Sequence, residues 1–340
     1  MATAATKTAS KIDIGGAPDI QGLVFRLFDG PSDYPGMVHV FNESLAADGL
    51  EWTTTVEETA EFYADAKNCD PYKDILIIEV KSEMIGFNRV WWYDETEGTR
   101  LYPNGTVLLP EWRGKGIEEA SLRYNEKRLR EIASTHTFEG PRVFAAFASD
   151  AAPIRTNVLL NNGYQAVRHS FMMVRPDLEN IPDCPLPEGV EVRSVQDEHL
   201  RAIFDAEAEA FRDHWGNWEV EEGDFERWCK GPMFQPHLWQ VAWDGDQVVG
   251  MVRNFISKEE NERFGRQRGY TEAISIRRPW RKKGVAKALI ARSFRMHKEL
   301  GMIEASLGVD TQNPNGALQL YESMGFRVVS SQTYYRKPLD

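Results

Sequence analysis

The strongest constraint on this chain is an internal duplication, because it requires two similar halves to fold in the same way. Three landmarks recur in the same order at offsets of 162 to 168 residues, and each contains a glycine: Gly86 and Gly250, Gly116 and Gly284, Gly163 and Gly325. A chain of 340 residues is also long for a single domain. The sequence therefore predicts two domains of one fold in tandem.

The order of hydrophobic patterns predicts the same fold in both halves. Each half begins with a short strand and two helical stretches, continues with a hairpin, a strand and a long helix, and ends with a strand, a short helix and closing strands. In the second half, the hairpin turns on Asp244-Gly245-Asp246. We predict an α/β (α+β) class in which each domain has a mixed, mostly antiparallel sheet flanked by helices.

Proline density predicts the domain boundaries. The segment 176–189 contains four prolines, which block helices and sheet ladders, so it is predicted to be a semi-extended linker. The Ala- and Thr-rich start of the chain has no apolar core and is predicted to be a flexible tail. The predicted map is a tail at 1–19, a first domain at 20–175, a linker at 176–189 and a second domain at 190–340.

Composition limits the partners and the compartment. The net charge of −12 and the pI near 5.2 argue against a nucleic-acid binder, which needs many cationic contacts to phosphate. Three widely spaced cysteines without a C-x-x-C pair support neither a disulfide framework nor a zinc site, so we expect a cytoplasmic protein without a metal. Because the sequence lacks a run of about 20 apolar residues, no membrane span is expected.

A basic turn in the second half predicts an anion site. The β-branched stretch that includes Ile274 and Ile276 stops at Pro279, and Gly284 opens an apolar-periodic helix. A glycine at such a turn lets backbone N–H groups approach a ligand, and the helix N-terminus adds a partial positive charge. The cluster of lysines and arginines at this turn stands out in an acidic chain, so phosphate is the expected guest.

The spacing Arg281-x-x-Gly284-x-Ala286 resembles the acyl-CoA-binding turn of the GCN5-related N-acetyltransferase (GNAT) family. Downstream, Asn313 leads through Tyr321 to Gly325-Phe326, which resembles the last characteristic element of that family. The resemblance implies acetyl-CoA as the acyl donor, an oxyanion site at the backbone of strand residues, and pantetheine held by Asn313. The implied donor-binding residues are Ile274, Ser275, Ile276, Arg281, Lys282, Lys283, Gly284, Val285, Ala286 and Asn313.

Acetyl transfer to an amine requires a proton acceptor and a group that protonates the leaving thiolate. Glu272 lies on the strand that enters the turn and resembles the family's general base, and Tyr321 lies where family members protonate the sulfur. A salt-bridged Glu272 and a core-packed Tyr321 are the structural alternatives. Other residues could compete as the base: Asp310, His214, Glu207 and Glu209.

The first half departs from the pattern at the positions that matter. Leu159 stands where Tyr321 would be and Asn104 stands where Glu272 would be. At the phosphate turn, Glu118 replaces Gly or Ala, and its charge would repel a pyrophosphate. We therefore predict that the first domain is a catalytically silent copy.

The acceptor is expected beside the first helices of the second domain. The segment 211–218 combines aromatic, acidic and imidazole groups, among them Asp213, His214 and Trp215, which suit a cationic or hydroxylated small molecule. A loop packed by its tryptophans against the domain is the structural alternative. The charged segment 258–268 is predicted to be a mobile flap or a solvated excursion.

These patterns favour an acetyl-CoA-dependent N-acetyltransferase that acts on a primary amine of a small molecule by direct ternary-complex transfer. Its tandem layout is similar to that of mycothiol synthase-type family members, which acetylate an amino sugar-linked thiol precursor. Two further alternatives are a non-catalytic acyl-CoA sensor and a protein or peptide acetyltransferase. The expected partners exclude nucleic acid and membrane, and the chain is expected to be a monomer or a homodimer.

Overall fold

The structure, a computed structural model, describes residues 11–216, 220–231 and 234–340, which form two compact units. The first unit comprises the chain up to Val167 together with Gln332–Asp340, and the second comprises Arg168–Ser331. This division differs from the predicted map at two places. Residues 168–175 belong to the second unit, and the last nine residues belong to the first.

The first unit is a sheet flanked by helices. Its strands are β1 (Leu23–Leu27), β2 (Ile75–Val80), β3 (Glu83–Val90), β4 (Tyr93–Asp94), β5 (Arg100–Leu108) and β6 (Arg142–Ser149). Its helices are α1 (Tyr34–Ala47), α2 (Val56–Ala64), α3 (Pro71–Asp74), α4 (Ile117–Ser134) and α5 (Pro153–Asn161). The sheet order is β1-β2-β3-β5-β6, and only β5 and β6 are parallel in that path.

The second unit repeats the arrangement. Its strands are β7 (Gln165–Arg175, from residue 168), β8 (Val190–Arg193), β9 (Gln240–Asp244), β10 (Gln247–Phe255), β11 (Arg268–Ile276), β12 (Glu304–Asp310) and β13 (Arg327–Pro338, to residue 331). Its helices are α6 (Leu200–Phe211), α7 (Asp224–Lys230), α8 (Lys258–Phe264), α9 (Val285–Glu299) and α10 (Ala317–Ser323). The sheet order is β7-β12-β11-β10-β9-β8, with β11 and β12 parallel. The predicted fold class is confirmed.

The repeated glycine of each hairpin is required by the approach of the next strand. A Cβ atom on Gly86 would lie 2.4 Å from Leu108 Cδ2, and one on Gly250 would lie 2.3 Å from the Ser275 carbonyl oxygen. Real Cβ atoms do not tolerate such distances, so only glycine fits. The matched glycines of the two halves thus meet the same packing requirement.

Each unit is completed by a strand from the other half of the sequence. Residues 332–338 pair antiparallel with β6, and Arg336 and Lys337 form ion pairs with Glu95 and Glu126 of the first unit at 2.5 and 2.8 Å. In the second unit, β7 pairs with β12 and contributes Met173 to the core beside Phe294, both fully buried. The predicted domain ends at 175 and 340 therefore do not coincide with the ends of the compact units.

Three segments predicted to be loose are packed. In the predicted tail, the Ile12 N–H donates to the Phe25 carbonyl at 2.7 Å and Ile14 is buried, whereas residues 1–10 lie outside the described part. The linker 176–189 is irregular as predicted, but Leu178 is buried in the core of the second unit. The expected flap contains α8, which Glu260 anchors by accepting from the Tyr270 hydroxyl.

Candidate active site

A β-bulge in β11 shapes the candidate site. The pairing of β10 with β11 runs from Met251–Ser275 to Arg253–Glu272, so two residues of β11 stand opposite Val252. One of these two residues is Ala273, which has a φ of 47°, an unfavourable region for alanine. Bulges interrupt the ladder and redirect side chains. The bulge thus brings Glu272 into register with Arg253, next to the predicted oxyanion segment.

The Glu272 carboxylate lies where β11 and β12 separate. Their parallel pairing ends at Tyr270–Ser306, and beyond it Glu272 Oε1 accepts from the Gly308 N–H at 2.9 Å. Burial raises the pKa of Glu272 to about 7, although the Gly308 N–H and the charge of Arg253 favour its ionised form. A carboxylate with a pKa near 7 is suited to accept a proton at neutral pH.

Tyr321, on α10, is buried in the core of the second unit and packs against Phe326 with a ring-centroid distance of 6.1 Å. Burial raises its pKa first, and the negative charge of Glu272 raises it further. The coupling means that the structure brings these two predicted residues close enough to interact electrostatically. The Tyr321 phenol keeps its proton at neutral pH and is available as a donor.

The rival bases are engaged elsewhere. Asp310 accepts twice from Arg168, at 2.8 and 2.6 Å, and Glu209 pairs with Arg277 at 2.8 Å. Glu207 accepts from Arg253 at 3.0 Å and from the Trp228 indole at 3.2 Å. These contacts leave Glu272 as the candidate whose carboxylate has only a backbone N–H as hydrogen-bond donor among the described residues.

The predicted phosphate turn has the geometry of an anion cradle. Gly284 precedes α9 with a φ of 87°, Lys282 has a φ of 61°, and no side chain caps the helix. The first N–H groups of such a helix lack intrahelical partners, so they are available to an anion. The side chains of Lys282 and Lys283 are exposed beside it.

Several predicted donor-binding side chains face the core. Val285 is 1% exposed and belongs to the core cluster, against which Ile274 and Ile276 also pack, while Ser275 is 5% exposed. Only the backbones of these residues and of Ala286 remain for a role in donor binding. Asn313 Oδ1 accepts from the Asn315 N–H at 2.9 Å, so its side chain forms an Asx-turn before α10.

Two of the predicted site side chains are bound to each other at this turn. Arg281 donates to the Ile276 carbonyl at 2.9 Å, to the Ala210 carbonyl at 3.0 Å and to Asp213 at 2.8 Å, so its guanidinium fixes the turn to the end of α6. Arg278 also binds Asp213, and these hydrogen bonds lower the pKa of that carboxyl well below its usual range. Asp213 thus joins the turn to the end of α6 through both arginines.

The other predicted acceptor residues are partly exposed. The His214 ring packs edge-on against Phe211 at 5.5 Å, and the Arg168 guanidinium lies 5.2 Å from the Trp215 ring. Two further residues of the predicted segment, 217 and 218, lie outside the described part of the chain. Trp215 thus lies near the end of β12 through the Arg168–Asp310 pair, whereas no contact between His214 and Glu272 is seen among the described residues.

Sequence reasoning missed the group that faces Glu272 from β10. Arg253 stands in register with Glu272, pairs with Glu207, and lies 5.5 and 5.8 Å from the rings of Trp228 and Trp239. This half-buried ion pair therefore lies beside Glu272. The signal was present, because Arg253 and Arg89 occupy the same place in the repeated hairpins.

The corresponding turn of the first unit is occupied by its own side chain. Glu118 Oε1 accepts from the Gly114 N–H at 2.8 Å, and burial raises the pKa of this carboxyl. Where β5 and β6 separate, Arg155 donates to the carbonyls of Thr106 and Phe147 at 2.8 and 2.7 Å. The β3–β5 pairing also lacks a register shift, so this strand has no counterpart of the Ala273 bulge among its paired residues.

Neither a metal cluster nor a membrane helix was found within the described ranges. No group of three or more His, Cys, Asp or Glu side chains there is arranged to hold a metal ion. No helix in the same ranges is long and apolar enough to cross a bilayer.

Comparison with known proteins gives a consistent family. Residues 200–326 match the acetyltransferase (GNAT) family. The chain is 26% identical over 303 residues to a mycothiol acetyltransferase of Geodermatophilus obscurus, which covers 87% of this chain and 91% of that protein. A GCN5-related N-acetyltransferase from Sphaerobacter thermophilus matches with a TM-score of 0.70 at 23% identity, covering 95% and 96% of the two chains. A tandem GNAT protein from the clavulanic acid biosynthesis pathway matches with a TM-score of 0.67 at 12% identity, covering 94% and 99%.

Proposed function

Residues 200–326 of this chain belong to the GNAT family of acetyltransferases, and from that premise we propose that the second unit transfers acetyl from acetyl-CoA to a primary amine of a small molecule. The observation that carries the proposal is Glu272, a half-buried carboxylate with a pKa near 7 at the separation of β11 and β12. Burial of Tyr321 near that charge supplies a second, protonated group.

Transfer then proceeds in one complex. The amine nitrogen attacks the thioester carbonyl carbon while Glu272 takes its proton, and the carbon–sulfur bond breaks as Tyr321 gives its proton to the sulfur. The pyrophosphate of the donor would be held by backbone N–H groups at the start of α9 and by Lys282 and Lys283. The Glu207–Arg253 pair and the nearby tryptophans would border the acceptor.

The test is release of the CoA thiol from acetyl-CoA with a panel of amines. Tyr321→Phe should reduce turnover about 10-fold or more, which is within the range of general acid catalysis. The matched control is Tyr164→Phe, because Tyr164 is a buried tyrosine of the first unit whose hydroxyl accepts from Asn104 at 3.0 Å. Unchanged turnover in Tyr321→Phe would contradict its role as the acid, and CoA binding without turnover would favour a sensor.

A mycothiol precursor with a free amine is a second, narrower acceptor candidate. The mycothiol acetyltransferase of Geodermatophilus obscurus aligns over 91% of its length with this chain, so the layout of both halves is shared. We expect that precursor to exceed simple amines in kcat/KM by at least about 10-fold if its polar groups are read by the site. Equal kcat/KM values across the amine panel would contradict this narrower reading.

We also propose that the first unit is catalytically silent and does not hold CoA. The Glu118 carboxylate at the Gly114 N–H supports this, because it takes the place of a phosphate in the turn. Transplanting it tests the idea. Ala286→Glu in the second unit should weaken acetyl-CoA binding by about 10-fold or more through charge repulsion, whereas Ala286→Gln should weaken it less. Equal affinities of both variants would contradict the charge argument.

A further inference from the structure

Among the described residues of the first unit, Arg89 is an arginine without a carboxylate partner. Within the described part of the chain, the Arg89 guanidinium is surrounded by rings, with its Cζ 4.6 Å from the centroids of Phe62 and Trp91 and 5.4 Å from that of Tyr63. Its polar partner there is the buried Cys69 thiol, and its Nε is buried without an acceptor. Every other arginine of this unit donates to a carboxylate or a backbone oxygen.

The second unit shows what is missing. Arg253 occupies the matched strand position, three residues after the repeated glycine, and also lies between aromatic rings. There, Glu207 supplies a carboxylate at 3.0 Å. Buried charges in proteins are normally paired, because an unpaired one loses its hydration without compensation. The first unit has the cation and the surrounding rings, but no carboxylate pairs with the cation among its described residues.

Nearby carboxylates do not fill the gap. Asp70 and Asp74 lie near Cys69, since both charges raise the pKa of that thiol. Asp70 pairs with Lys73 at 2.7 Å and Asp74 pairs with Arg128 at 3.0 Å. In these pairs, the neighbouring cations Lys73 and Arg128 are already bound to carboxylates. The surroundings of Arg89 therefore offer one positive charge and not the several that a phosphate needs.

We propose that Arg89 is the anchor of a binding site for a small monocarboxylate in the first unit. The guanidinium fork matches a carboxylate, and the rings of Phe62 and Trp91 provide apolar walls for a flat or aliphatic body. Phe62 is 53% exposed, so the position is accessible from solvent. The site is separate from the proposed acetyl transfer and does not depend on it.

The test uses benzoate as the probe and benzamide as its neutral isostere, with binding to the full chain followed by ligand-observed NMR or calorimetry. We expect saturable binding of benzoate in the range of weak fragments, with a dissociation constant below about 10 mM, and at least about 10-fold weaker binding of benzamide. Arg89→Met, which keeps the length and the apolar stem, should weaken benzoate binding by about 10-fold or more. The matched control Arg100→Met, at an arginine of the first unit that also lies over two rings but is paired with Asp94, should leave it unchanged.

A second variant covers the case in which Arg89→Met does not fold, as judged by its thermal transition. Arg89→Lys keeps the charge and loses the planar fork, so benzoate should still bind, more weakly and with greater sensitivity to salt. Absence of saturable benzoate binding to the wild-type protein, equal affinity for benzamide, or undiminished binding to a folded Arg89→Met protein would each overturn the proposal.

Discussion

Replacing Glu272 with glutamine removes the proposed proton acceptor and leaves the hydrogen bond that holds the side chain in place. Glutamine keeps an oxygen that can accept from the Gly308 N–H, now at 2.9 Å from the carboxylate, but it cannot take a proton from an amine. We expect kcat/KM to fall by about 100-fold or more, the lower part of the range for general base catalysis. In the wild-type protein, kcat/KM should rise with pH and level off above about 7, because the base must be ionised.

The same change should stabilise the protein at alkaline pH. The pKa of Glu272 rises from 4.5 to about 7 on folding, and at ~1.4 kcal/mol per pKa unit this corresponds to roughly 3 kcal/mol. Between these two pKa values, the folded state holds the proton and the unfolded state does not. The free energy of unfolding of the wild type therefore falls as the pH rises through 7. Glu272→Gln has no proton to lose at this position, so its free energy of unfolding should not fall for this reason.

Thermal melts at pH 5 and pH 8 measure the effect. The transition of Glu272→Gln should exceed that of the wild type at pH 8 by several degrees, at roughly 2–4 °C per kcal/mol, and the gap should shrink at pH 5. Glu209→Gln is the control, because that carboxylate is paired with Arg277 on a partly exposed surface. The reasoning would be refuted by a stability gap that does not change with pH, or by near-normal turnover in Glu272→Gln.

Three further predictions concern the frame around the site. Burial lowers the pKa of His297 to about 4. Its contribution to the free energy of unfolding is therefore complete above a pH of about 6.5 and is lost as the pH falls towards 4. In urea unfolding over that window, the wild type should lose up to ~3 kcal/mol more of this free energy than His297→Gln. Gly269→Ala should destabilise by about 2 kcal/mol or more, because the new Cβ would lie 2.2 Å from His297 Nδ1, whereas Gly105→Ala, with open space, should be nearly neutral in the same assay. Deleting residues 332–340 should abolish the cooperative unfolding transition of the first unit, because that unit loses the Arg336–Glu95 and Lys337–Glu126 pairs. The same deletion should reduce acetyl transfer by the second unit much less. A larger loss of transfer than of that transition would contradict the division into two units.

The fold could be predicted from the sequence because its signals are local. Hydrophobic periodicity and the glycine before α9 define strand, turn and helix without knowledge of what packs on them. The exchange of end strands could not be predicted in this way, because the pattern of a strand indicates that it is a strand and not which sheet it joins. Contacts such as Arg168 with Asp310, which fix the choice, are 142 residues apart in sequence.

The parts of the candidate site that depend on residue type could be predicted from the sequence. The parts that depend on backbone conformation could not. A carboxylate on the strand and a tyrosine on the short helix were visible as Glu272 and Tyr321. The bulge was not, since alanine has no preference for the left-handed region that Ala273 adopts. The role of Arg281 was also hidden, because a basic residue at a phosphate turn has the same sequence signature whether it binds the ligand or the turn.

Comparing the two units within one chain separates scaffold from chemistry. Arg113 repeats the contacts of Arg281: it donates to the Leu108 carbonyl at 3.3 Å, to Asp48 at 2.5 Å and to the Ser44 carbonyl at 2.9 Å. A side chain that both units retain with equivalent partners is explained by structure alone, even in a motif that resembles a ligand site.

Residues that differ between the units point the other way. The positions of Tyr321 and Glu272 are taken in the first unit by Leu159 and Asn104. The position of Ala286 is taken by Glu118, whose carboxylate accepts from the Gly114 N–H of its own turn. Arg89 differs from these positions, because both units have the arginine but only the one in the second unit is paired with a carboxylate among the described residues. A guanidinium whose buried Nε lacks an acceptor among the described residues costs free energy that an apolar residue would avoid. That cost is the reason for testing Arg89 as the anchor of a carboxylate site in the first unit.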